Sequence, residues 1–101
     1  MNYFVLKLLP PRPTFASDMT TAERALMGQH RQYWSTLMQA GKVAIFGPVA
    51  DPNGMYGIGI ASFADSQEAT AFANNDPVVL ANAGFQYHIA PMAAAVLPGM
   101  L

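Results

Sequence analysis

The chain has 101 residues, enough for one domain and one hydrophobic core. Its net charge is −1, its five Lys and Arg residues are scattered, and it has no cysteine. These numbers exclude a phosphate-neutralising basic stripe, disulfides, thiolate catalysis and Cys-based zinc sites.

Charged residues are only 11% and hydrophobic residues 52%, against about 25% charged in an ordinary globular domain. A domain this small leaves much apolar area facing water. A second copy of the same chain is the expected cover. The uncharged stretches are broken by Gly, Pro, Asn and Gln, so none spans a bilayer and no membrane partner is expected. The opening residues MNYFVLKLLPPRP show no basic leader and no small-residue cleavage site, which points to the cytoplasm.

NYFVLKLL (2–9) is rich in β-branched and aromatic residues and stops at Pro10 and Pro11, as a strand does. PPRPTFASDM reads as a stiff, extended loop. Thr20 and Glu23 have capping-box spacing and open a helix over 21–40, closed by Gly41 at the position that favours positive φ. Leu26, His30, Tyr33 and Leu37 fall on one face, with Trp34 and Met38 beside it. VAIFGPV (43–49) and MYGIGIASF (55–63) read as a hairpin turning at ADPNG. Gly57 and Gly59 share one face of the second strand, where another group must approach closely. Asp65 and Glu68 suggest a second capping box before a short helix over 66–75, packed through Ala69, Phe72 and Ala73. Asp76–Pro77 is an N-cap followed by Pro at the first helical position. FQYHIAPMAAAV (85–96) reads as the last strand running into an apolar tail.

The order is β-α-β-β-α-β, the split ferredoxin-like arrangement of the α+β class. Two helices cover one face of an antiparallel sheet and leave the other bare. Two such faces packed together make a homodimeric α+β barrel.

His30 can be a satisfied core histidine or a general acid or base. Asp76 can be a simple helix cap or the carboxylate that orients His30. The topology favours a meeting, because the end of the second helix can approach the middle of the first. Arg12, on the proline-rich loop, is either solvated or a clamp for a substrate carboxylate. Tyr33 and Trp34 wall a pocket or fill the core. His88 alternates with Tyr87, and one of the two must point outward; His88 is read as surface or interface. Two histidines without a carboxylate at ligand spacing make no metal site. The glycines around 54–59 are strand and turn chemistry, not a phosphate loop.

YFVLKLLPPRPTF, MGQHRQYWSTLMQAGKVAIFGPVADPNGMYGIGI and FANNDPVV together resemble the YciI-like (YCII-related) family over about residues 3–92. The resemblance implies a single domain over 1–101, with 93–101 an apolar tail, of the dimeric α+β barrel class. It implies an active site in which the first-helix His falls on His30 and the Asp of DP falls on Asp76. Gly47 and Pro48 match the family's GP and line the cleft. The resemblance further implies a small organic substrate, enolisable or cyclic, and an isomerase or lyase such as a dehydrochlorinase. A binding protein of the same fold without chemistry is the alternative. No cofactor, metal or nucleic acid is expected.

Overall fold

The computed structural model describes residues 2–100. The elements are β1 (Asn2–Leu9), α1 (Phe15–Asp18), α2 (Thr21–Gln39), β2 (Val43–Val49), β3 (Tyr56–Phe63), α3 (Ser66–Asn74), α4 (Pro77–Leu80) and β4 (Gln86–Pro91). They form one antiparallel sheet in the order β2-β3-β1-β4. The order expected from the sequence is the order observed, and the class is α+β.

Local chemistry sets most boundaries. Thr20 accepts from Glu23 N–H while the Glu23 carboxylate accepts from Thr20 N–H, the full capping box at the start of α2. Gly41 follows its end at φ +80°, a conformation that suits a residue without Cβ. The start of α3 is only half a box. Asp65 accepts from Glu68 N–H, but the Glu68 side chain reaches one residue further back, to Ala64 N–H.

One expectation needs correction. The loop after β1 is not wholly extended: Phe15–Asp18 closes a single helical turn, because burying Phe15 against Phe85 (ring centroids 5.2 Å apart) repays the turn. Within 85–96 the strand occupies Gln86–Pro91 and gives way to the tail, as the sequence suggests. It ends at Pro91, opposite Phe4, and Met92 N–H makes one more bond to Tyr3 O where β1 runs out of partners.

The sheet is two-sided in the sense the alternation demands. Phe4, Leu6 and Leu8 of β1, with Ala61 and Phe63 of β3, are buried on the helix side. There Phe4, Leu6, Ala61 and Phe63 meet Trp34 of α2 and Ala69 and Ala73 of α3, while Leu8 meets Phe15, Val78 and Phe85. The opposite face carries Val5 paired with Ile60, and Ile60 paired with Ile45, which is 60% exposed. His88 lies on this open face, opposite Lys7. Tyr87 therefore points inward.

The two strand glycines answer to their neighbours. Gly59 lies under the Trp34 indole, and a Cβ there would collide with the distal edge of that ring. The ring cannot swing aside, since it stacks on Phe46 and meets Phe72 edge-on. Gly59→Ala is expected to lower stability by about 2 kcal/mol, read as a lower urea midpoint with an unchanged slope. An unchanged midpoint would show that the indole has room to move.

Candidate functional site

The face of α2 divides, and this decides where His30 goes. Tyr33 and Leu37 pack toward the cluster built on Phe4, Phe63 and Ala69, and Leu26 toward the cluster of Leu8, Phe15, Val78 and Phe85. Between them Met27, His30, Arg31 and Trp34 line a cavity of about 620 Å³. Its other walls are Phe15, Ala16 and Met19, the Phe46–Gly47–Pro48 corner of β2, the Tyr56–Gly59 stretch of β3, and Phe85 and Tyr87. His30 thus interrupts an apolar stripe because it stands at a cavity rather than in closed core.

Asp76 comes to His30 from the opposite side. Its side chain caps α4, with Oδ1 accepting from Val78 N–H at 3.1 Å and Pro77 following at the first helical position. The carboxylate is completely buried. Oδ2 meets His30 Nδ1 at 2.7 Å and accepts from the Tyr87 hydroxyl at 2.6 Å. An ionised carboxylate only accepts, so the imidazole nitrogen facing it carries a proton. In the neutral ring Nε2 then holds the lone pair. Among the described residues no buried side-chain nitrogen or oxygen lacks a partner. His30 Nε2 makes no protein hydrogen bond, so it is reachable from solvent. Asp76 thus makes both contacts, the helix cap through Oδ1 and the bond to His30 through Oδ2.

Trp34 Nε1–H donates to the Tyr87 oxygen at 2.9 Å. Burial first, then the Asp76 charge, raises the Tyr87 phenol above its ordinary range, so it remains a protonated donor. Tyr33 is raised for the same two reasons. Tyr33 does not line the cavity; its ring stacks on Phe72 at 4.5 Å and its hydroxyl donates to Phe72 O.

Arg12 also stands outside the cavity. Its Nε bonds Asp18 at 2.8 Å, and Nη1 and Nη2 grip Glu23 at 2.8 and 2.7 Å. The guanidinium is spent on tying the proline-rich loop to the start of α2, and it borders a smaller hollow of about 380 Å³. The residue that sequence reasoning passed over is Tyr87, whose only signal was its alternation with His88. Arg31, next to His30, is the cation that does line the cavity. No group of three or more His, Asp or Glu side chains gathers among the described residues, and no helix among them is long and apolar enough to cross a membrane.

The comparisons with known proteins fit this architecture. The model of the YCII-related domain matches residues 3–93. The 5-chloro-2-hydroxyhydroquinone dehydrochlorinase of Burkholderia phenoliruptrix AC1100, solved with 2,5-dihydroxybenzoquinone, is similar in structure. Its TM-score is 0.65 at 17% identity, covering 91% of this chain and 95% of that one. A protein of unknown function from Nitrosomonas europaea is similar at TM-score 0.54 and 17% identity, covering 97% and 95%. No curated protein matches the chain at a significant level.

The Arg12–Glu23 bond has an acid signature. Hydrogen bonds from Arg12, then from the Thr20 backbone, hold the Glu23 carboxyl down to about 2. A carboxyl depressed by folding stabilises at pH above its ordinary value and loses that contribution as pH falls through the folded one. The thermal midpoint is therefore expected to fall between pH 4.5 and 2, and Glu23→Gln should flatten that slope while lowering the midpoint near neutrality. An equal slope in the variant would show that Glu23 does not carry it.

Proposed function

The chain belongs to the YCII-related domain family, and from that premise we propose that it is an enzyme working by acid–base chemistry on a small cyclic or enolisable organic molecule. The observation that carries this reading is the His30–Asp76 contact of 2.7 Å opening on an aromatic-walled cavity. His30 Nε2 is the base. Asp76 fixes the ring and its tautomer and balances the charge that appears when Nε2 takes a proton. Trp34 presents an aromatic wall, and Gly47 and Pro48 keep the opposite wall low. The cavity suits one ring-sized ligand.

The chemistry begins with Nε2 removing a proton from carbon next to a carbonyl. The electron pair moves into the ring and onto the carbonyl oxygen. Returning the proton elsewhere isomerises the substrate. Expelling a leaving group with the electron pair completes an elimination. The similarity in fold to a dehydrochlorinase supports the second outcome, while fold alone does not carry the substrate across.

The test is solvent deuterium exchange, followed by NMR, on a panel of cyclic ketones and hydroxyquinones that includes 2,5-dihydroxybenzoquinone. Wild type is expected to catalyse exchange, and His30→Ala to lose it by about 100-fold or more. Equal exchange in the variant removes the base role. Binding without exchange in wild type supports a ligand-holding protein instead.

The same reading includes a homodimer through the open sheet face, where Val5, Ile45, Ile58 and Ile60 form an apolar field. Light scattering is expected to give twice the chain mass of 10.8 kDa, and Ile60→Lys to halve it. A monomeric wild type would refute the dimer without touching the site.

A further inference from the structure

We propose that Tyr87 is a positioning residue of the His30–Asp76 pair, lowering the proton affinity of the imidazole by donating to the carboxylate oxygen that His30 also uses. The proposal deepens the acid–base reading above, and its test is independent of any substrate.

The direction of every bond in the network is fixed by chemistry. The Trp34 indole N–H donates and cannot accept, so at 2.9 Å the Tyr87 oxygen must accept from it. The one phenolic proton is left to point at Asp76 Oδ2, 2.6 Å away. Oδ2 therefore accepts two hydrogen bonds, one from the Tyr87 hydroxyl and one from His30 Nδ1 at 2.7 Å. Oδ1 is held by Val78 N–H. Three elements, α2, β4 and the start of α4, therefore converge on one buried carboxylate.

This sharing has a consequence for the base. A carboxylate whose only partner is an imidazole favours the imidazolium strongly. The more firmly the imidazolium is held, the smaller the fraction of the ring that has a free lone pair to take a proton from substrate. A second donor on the same oxygen spreads the carboxylate charge and weakens its hold on the imidazolium. Tyr87 thereby favours the state in which Nε2 carries a lone pair. It also occupies the second lone pair of Oδ2, so the imidazole has a single seat on that oxygen. The other titratable residues of the cavity wall are Arg31, beside His30 on α2, and Tyr56 on β3, whose ring lies against Lys7; Tyr33, on the same helix as His30, stands outside the cavity. None of them bonds Asp76 among the described residues.

The chain has two histidines, His30 and His88, so their Cε1–H signals titrate separately in NMR. In Tyr87→Phe the pKa of His30 is expected to rise by roughly 0.5–1 unit. His88, on the opposite face of the sheet, serves as the unmoved reference. A His30 titration that stays in place, or that moves down, in a folded variant overturns the proposal and leaves Tyr87 a packing residue. Tyr87→Phe also strips Trp34 Nε1 of its acceptor and can unfold the chain. Site-specific 3-fluorotyrosine at position 87 settles that case, because it keeps the ring and strengthens the donor. It is expected to move His30 downward, and an unchanged or raised value again overturns the proposal. Failure of the acid–base reading would appear separately, as absent deuterium exchange in a wild type whose His30 still responds to position 87.

Discussion

Burying the Asp76 carboxylate is the constraint on which the rest of the site depends. An ionised carboxylate removed from water costs several kcal/mol unless donors replace its hydration. Here the donors come from a backbone N–H on α4, an imidazole on α2 and a phenol on β4. Each donor is anchored in a different element, so the charge can be satisfied only when those elements have docked together. The requirement that stabilises the carboxylate is the same one that aligns the imidazole. Site geometry and folding of this corner of the molecule are one event.

The aromatic layer explains why a cavity survives beside so crowded a network. Trp34 is nearly fully buried, brings the distal edge of its ring against Gly59 and is held at its nitrogen by Tyr87. Packed on Phe46 and Phe72, it cannot collapse into the space next to it. On the far side Phe15 leans against Phe85, held by a loop that Arg12 ties to Glu23 and Asp18. Stiff rings on both sides keep the hollow open, and His30 is the polar group they leave uncovered. Arg12 therefore serves the cavity indirectly, by fixing the segment that brings Phe15 to its wall.

The sheet separates two tasks by parity. Odd and even residues of each strand face opposite sides, so Tyr87 reaches the carboxylate while its neighbour His88 faces the open side beside Lys7. Both faces carry apolar side chains, the core on one and the open field of Val5, Ile58 and Ile60 on the other, which leaves few strand positions for charge.

The sequence by itself determined what rests on local rules. Strand alternation, the Thr20–Glu23 box, the Gly41 stop and the Asp76–Pro77 start each depend on a few adjacent residues, and together they give the β-α-β-β-α-β element order of the split ferredoxin-like class. The family motifs added the pairing of His30 with Asp76, which lie 46 residues apart. Tertiary structure alone decided the rest. It divided the α2 stripe between two core clusters and a cavity, took Tyr33 out of the cavity wall, and turned Arg12 onto Glu23. It ended the last strand at Pro91 and brought the Tyr87 hydroxyl to Asp76. Those outcomes turn on which side chains meet across elements distant in the chain. A periodic pattern shows that a residue faces inward, but only the packed neighbours decide whether it meets core, a carboxylate or open space.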